Sequence, residues 1–269
     1  MQKFKSIFET VKPVIGMIHL QALPGTPKYT SNPSYIIEKA LEEAIIYKKS
    51  GIDAIMIENM HDVPYVKGGV GHEISSLMGI IAYLVKQQTK LSVGIQILAG
   101  ANKEALAVAK SSGIDFMRAE GFVFAHTADE GIIEAQAGEL MRYRKYIDAE
   151  HIAIFTDIKK KHSSHVITQD ISLFDTAKAA QFFLSDGAVI TGSHTGQAAS
   201  SEELMILKNS FSEFPIIIGS GITIDNVSTF LPLCDAMIVG SHFKNDGYWE
   251  NDLSQDRVSN FMELIKKKR

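Results

Sequence analysis

The feature that most constrains this chain is a phrase that recurs along it. Gly51-Ile52-Asp53 leads into Ala54-Ile55-Met56-Ile57-Glu58, and Gly113-Ile114-Asp115 leads into Phe116-Met117-Arg118-Ala119-Glu120. Variants follow as Ser185-Asp186-Gly187-Ala188-Val189-Ile190 and Cys234-Asp235-Ala236-Met237-Ile238-Val239. Each time, a glycine or small polar residue ends a helix, a short turn follows, and an apolar run opens a buried strand. Repetition of one αβ unit implies one architecture built by iteration.

Reading outward from the phrase gives eight strands, at 14–20, 54–59, 92–98, 116–121, 151–158, 188–192, 215–219 and 236–241. Each is short, apolar and rich in Ile or Val, as a strand covered on both faces must be. Helical spacing fills intervals at 34–50, 102–112 (with Asn102 as its N-cap), 171–184, 202–211 and 257–267. Eight strands alternating with helices in a 269-residue chain predict a single (β/α)8 TIM barrel spanning 1–269. The alternative, a doubly wound open sheet, calls for a glycine-rich turn after its first strand. Here that place holds Gln21-Ala22-Leu23-Pro24-Gly25-Thr26-Pro27, stiffened by proline and without a dinucleotide fingerprint.

Charge and cysteine content narrow the function classes. With 27 Lys plus Arg against 31 Asp plus Glu, the net charge is −4, which argues against a protein held to nucleic acid by a basic surface. The single cysteine, Cys234, forms no intramolecular disulfide and reads as packing. No apolar stretch approaches the roughly 20 residues of a membrane span, and the first fifteen residues lack a signal-peptide core, so the expected location is the cytoplasm.

In a barrel the chemistry sits where strands end. Those ends carry His19, Glu58-Asn59, Gln96, Arg118 and Glu120, Asp157, Thr191-Gly192-Ser193, Gly219-Ser220-Gly221 and Gly240-Ser241. Gly219-Ser220-Gly221-Ile222-Thr223 follows the seventh strand, with a short helix expected from Asp225, and Gly240-Ser241 closes the eighth. Small residues let backbone amides approach an anion, which makes these loops a phosphate site. Glu58, Glu120 and Asp157 converge from three strands and suit acid–base catalysis, or a divalent cation such as magnesium, manganese or zinc. His19 is placed for direct ligand contact. No His-x-His or His-Glu-x-x-His spacing signals zinc. His162 and His165 fall on a solvated loop over the mouth, and Tyr248-Trp249 on a lid or helix anchor.

These residues also carry a family likeness. Ile15-Gly16-Met17-Ile18-His19-Leu20 with Leu23-Pro24-Gly25 resembles the BtpA/SgcQ family. So do Glu58-Asn59 with Asp62-Pro64-Tyr65, Gln96 with Ala99-Gly100-Ala101-Asn102, and Asp129-Glu130-Gly131-Ile132-Ile133-Glu134. Asp157 with Lys161-His162, Thr191-Gly192-Ser193-His194-Thr195-Gly196, Gly219–Thr223 and Gly240-Ser241 with Phe243-Lys244-Asn245-Asp246-Gly247 complete it. The resemblance implies a barrel similar to the ribulose-phosphate-binding type. One branch of the family takes its name from photosystem I accumulation, the other from a sugar-phosphate gene cluster. Two departures stand out: Arg118-Ala119-Glu120 where some relatives carry an asparagine, and Lys159-Lys160 in place of a more apolar stretch.

Two functions follow as expectations. One is an enzyme on a phosphorylated small molecule, a sugar phosphate or nucleotide-like compound, with Gly219, Ser220, Gly221, Ile222, Gly240, Ser241, Gly192, Ser193, Gln96, Asn59 and Arg118 binding and Glu58, Glu120, Asp157 and His19 catalysing. A proton shuttle between carboxylates fits isomerisation, epimerisation or lyase chemistry. A Schiff base on Lys159 or Lys161 requires a desolvated amine, and the lysine-rich surroundings count against it. The other is a non-catalytic assembly factor, marked by an exposed apolar patch. A homo-oligomer is compatible with either.

Overall fold

Each repeat of the αβ phrase becomes one step round a closed sheet. The computed structural model describes residues 1–30, 32–192 and 199–269. Its barrel strands are β1 (Val14–His19), β2 (Ala54–Glu58), β3 (Ser92–Gln96), β4 (Phe116–Ala119), β5 (Ala153–Ile158), β6 (Gly187–Ile190), β7 (Ile216–Ile218) and β8 (Ala236–Val239). All run parallel, and β1 pairs with both β2 and β8, so the sheet closes. The doubly wound alternative is excluded.

The helices differ from the sequence reading at their ends and in number. They are α1 (Gln2–Ile7), α2 (Pro33–Lys49), α3 (His72–Thr89), α4 (Asn102–Ser112), α5 (Ala137–Tyr146), α6 (Leu173–Phe182), α7 (Ser201–Ser210), α8 (Val227–Phe230) and α9 (Gln255–Lys268). Asn102 is not the cap of α4. Ala101 holds that position, and the Asn102 side chain instead grips Glu120, donating to its carbonyl at 2.7 Å and accepting from its amide at 3.2 Å. The short helix after β7 begins at Val227 rather than Asp225 and has four residues.

Two additions were not expected from sequence. Helix α1 plugs the barrel from below, with the Phe8 ring 5.3 Å from Phe116 and 6.3 Å from Phe155. At the opposite end, His126–Ala128, Gly131–Ile133 and Ser163–Ser164 form a small antiparallel sheet beside the mouth. The residues 162–165 thus belong partly to that sheet rather than to a loop alone.

Candidate active site

Strand register sets the first three site residues. His19 on β1 pairs with Glu58 on β2, and Glu58 with Gln96 on β3, so the three stand abreast at one level of the wall. All three line a cavity of about 470 Å³ at the C-terminal mouth. Arg118, Glu120, Lys160 and Lys161 also line it, as do Gly219–Thr223 and the loop from Gly240 to His242.

Three buried carboxylates in one mouth repel one another unless something relieves them. Side-chain cations do so here. Arg118 grips Asp157 through two parallel bonds, Nε to Oδ2 at 3.0 Å and Nη2 to Oδ1 at 2.7 Å. Burial works against the guanidinium, but Asp157 outweighs it and holds the Arg118 pKa above its ordinary value. Asp157 does not line this cavity and borders instead a small crevice beside Phe122 and His126. Glu120 accepts from Gln96 Nε2 and Lys160 Nζ, each at 3.1 Å. Burial still raises the Glu120 pKa, with the Lys160 charge pulling it back. Among the described residues, no three His, Cys, Asp or Glu side chains are gathered closely enough to hold a metal ion. The donor set is arranged for ion pairing.

Glu58 is different. It is 7% exposed, and its Oε2 sits 3.7 Å from His19 Nε2, too far for a hydrogen bond. Burial raises its pKa, while Arg118 and Lys161 draw it down. His19 Nδ1 faces the Trp249 carbonyl at 3.3 Å. A carbonyl only accepts, so this nitrogen carries the proton and Nε2 presents a lone pair to the cavity. Burial, with the Lys244 charge behind it, lowers the His19 pKa to about 3, so the ring is neutral at ordinary pH. Lys244 itself is buried and paired with Glu43 Oε1 at 2.7 Å, tying the loop after β8 to α2.

The glycine loops after β7 and β8 border the cavity. Gly221 has φ +76°, open to glycine at little cost. The Gly221 and Ile222 amides make no hydrogen bond within the described chain, and Ser220 Oγ is buried without a partner. A Cβ on Gly240 would come 3.3 Å from the His19 ring, and one on Gly219 only 2.5 Å from Val189 Cγ1. These two glycines keep crowded walls apart. Their neighbours face the opening.

Other expected residues fall elsewhere. Asn59 turns away from the mouth, accepting from the Leu98 amide at 2.7 Å and donating to Asp62 Oδ2 at 2.9 Å. Gly192 is not among the lining residues, and Ser193 lies outside the described residues. Cys234 is buried, and burial pushes its thiol up to about 12. Trp249 lines the cavity, its ring 4.9 Å from that of His61. Sequence reasoning missed Arg257, which lines the cavity and donates through Nε to the His242 carbonyl at 2.6 Å. Its helical spacing on α9 gave no sign of this.

The model of the BtpA family matches residues 10–267. The chain belongs to this family. An uncharacterized mitochondrial protein of Caenorhabditis elegans is 52% identical over 257 residues, covering 94% of this chain and 92% of its own. The Photosystem I biogenesis protein BtpA of Synechocystis is 32% identical over 260 residues, covering 96% and 89%. Among solved structures, (S)-3-O-geranylgeranylglyceryl phosphate synthase of Thermoplasma acidophilum, in complex with its substrate sn-glycerol-1-phosphate, superposes with a TM-score of 0.62 at 15% identity, covering 99% of this chain and 97% of its own. Orotidine 5'-phosphate decarboxylase of Pyrococcus horikoshii does so at 0.58 and 12%, covering 94% and 99%. The BtpA-family chain thus shares its fold with enzymes of phosphorylated substrates. No helix among the described residues is long and apolar enough to cross a membrane.

Proposed function

We propose that this BtpA-family barrel is an enzyme acting on a phosphorylated small molecule by proton transfer. The observation that carries the reading is a division of labour within one cavity. The Gly221 and Ile222 amides and the orphaned Ser220 hydroxyl offer donors to an anion, while Glu58 and His19 Nε2 flank a space fit for one mobile proton. A phosphate held by the loops after β7 and β8 leaves the carbon skeleton over Glu58, Gln96 and Glu120. Glu58, neutral more readily than an ordinary carboxyl, protonates or deprotonates a substrate carbon or oxygen. Gln96 Oε1, buried and without a partner among the described residues, accepts from a substrate hydroxyl. Such a set supports isomerase, epimerase or lyase chemistry on a sugar phosphate. The names of the two structural neighbours, a phosphate synthase with sn-glycerol-1-phosphate bound and a 5'-phosphate decarboxylase, support the phosphorylated substrate.

Calorimetric titration with inorganic phosphate and glycerol phosphate tests this. Wild type should bind both, and Gly221→Glu, which puts a carboxylate into the anion's place, should lose at least about tenfold in affinity, roughly 1.4 kcal/mol. Ser220→Ala, with no backbone strain, should show a smaller loss in the same direction, with melting of all three proteins run alongside. Equal affinity in folded proteins would overturn the reading. The assembly-factor alternative would then stand on the exposed end of α6 and its following turn, where Phe182 is 80% and Leu184 66% exposed.

A further inference from the structure

Three lysines follow β5 in succession, and the structure separates them. Lys159 adopts φ +49° and faces the small crevice of the antiparallel sheet beside Phe122 and His126. Lys160 gives its ammonium to Glu120 at 3.1 Å. There burial opposes the charge, yet Glu120 prevails and keeps the Lys160 pKa above its ordinary value. Lys161 is held by its own backbone, its amide donating to Thr191 Oγ1 at 3.1 Å, and lines the cavity with Glu58 and Arg118. The three lysines, which from sequence formed one cationic run, are thus divided among the crevice, the Glu120 pair and the cavity.

The neighbours of Lys161 favour its neutral form. Burial is the main cause and the Arg118 guanidinium the next, lowering its pKa against the pull of Glu58, Asp157 and Glu120. Glu58 moves the other way, upward through burial. An amine and a carboxyl whose proton affinities approach each other in one pocket exchange a proton easily. Asp157 and Glu120 are paired with Arg118 and Lys160, and among the carboxylates whose charge reaches Lys161 the Glu58 charge acts most strongly, which selects Glu58 for this exchange.

Resting on the phosphate reading above, we propose that Lys161 captures the carbonyl carbon of a phosphorylated aldehyde or ketone as an imine. The neutral amine attacks the carbonyl carbon, and the oxygen gains a proton from Glu58. The carbinolamine nitrogen returns a proton to the Glu58 carboxylate. Glu58 then protonates the hydroxyl, which leaves as water, and its carboxylate takes the second nitrogen proton, leaving the neutral carbon–nitrogen double bond and the Glu58 carboxyl restored. Once protonated, this imine is an electron sink. A C–H or C–C bond on the adjacent carbon can break, its electron pair passing to nitrogen. Substrates are therefore aldose or ketose phosphates with a carbon acid beside the carbonyl.

The test uses the intact protein, sodium cyanoborohydride, and two small aldehydes, glycolaldehyde phosphate and glycolaldehyde, with the adduct located by peptide mass mapping. In wild type, Lys161 should be modified ahead of exposed lysines such as Lys67. The phosphorylated aldehyde should work at lower concentration, and inorganic phosphate should protect against it. Lys160→Arg should keep the Lys161 adduct and Lys161→Arg should lose the cavity adduct. Modification of exposed lysines with Lys161 untouched by either aldehyde would overturn the proposal, and needs no variant to fold. Modification of Lys161 by both aldehydes equally, without phosphate protection, would support the amine chemistry and overturn the phosphate reading instead.

Discussion

His19 is held neutral by its place at the end of β1, and that has a consequence for stability in acid. Its pKa falls from 6.5 to about 3 on folding, chiefly through burial. Above pH 6.5 both states are neutral and the residue contributes nothing. Below it, the unfolded chain takes up a proton that the folded ring refuses, so stability is lost progressively from pH 6.5 to about 3. At pH 5 the loss is about 2 kcal/mol, at 1.36 kcal/mol per pH unit. His126, lowered to about 4 by burial, adds to it, whereas Glu58 and Glu120, raised by burial, bind protons in the folded state first and oppose it. Denaturation of wild type and His19→Gln at pH 8 and pH 5 isolates the residue. Wild type should lose about 2 kcal/mol more than the variant over that interval, and equal losses would mean that the ring protonates in place. His19, Glu58 and Gln96 were legible in the sequence because a strand end is a position that pattern alone locates. Asn59 and Asp157 were placed correctly on strand ends, but their side-chain directions depend on Leu98 and Arg118, and no spacing reports those partners.

The repeated aspartate of the αβ phrase explains how one element docks on the next. Asp53, Asp115, Asp186 and Asp235 each stand just before an even-numbered strand. Each accepts the backbone amide at the start of the preceding odd strand: Val14 at 2.8 Å, Val93 at 2.8 Å, Ile154 at 2.9 Å and Ile216 at 2.9 Å. A cation completes each clamp, respectively Arg269, Lys86, Arg144 and Lys208. The barrel is thus four repeats of a double βα unit, joined at the bottom by carboxylates that cap strand amides left without a ladder partner. Removing one clamp by Asp115→Ala leaves the Val93 amide unsatisfied and Lys86 uncompensated, which should cost about 2–3 kcal/mol in urea denaturation. Asp115→Asn, still able to accept, should cost about 1 kcal/mol. No difference between the two would show that the amide, rather than the charge, is irrelevant to the clamp. The repeat was visible in sequence, but its purpose was not, because donor and acceptor lie 39, 22, 32 and 19 residues apart. The small antiparallel sheet escaped notice for another reason: strands of two or three residues carry no period to read.

At the scale of the whole molecule, the two ends of the barrel do different work. The aspartate clamps and the α1 plug gather at the N-terminal end, and the cavity with its ion pairs at the other, a separation of bracing from binding space that this fold permits. Helix α1 was illegible because six residues hold too short a pattern, and its apolar side chains meet their partners only once the barrel floor exists. Phe8 is 5% exposed, with ring centroids of Phe4, Phe116 and Phe155 at 4.9, 5.3 and 6.3 Å. Phe8→Ala should therefore remove about 3–4 kcal/mol of stability, the range for emptying a buried aromatic site. Phosphate affinity at the mouth should be unchanged, because the strands between the two ends are braced by the whole parallel sheet. Denaturant unfolding and phosphate calorimetry on the same Phe8→Ala preparation measure the two quantities together. A parallel loss of both would mean that the floor packing sets the spacing of the β7 and β8 loops, and the division between the ends would not hold.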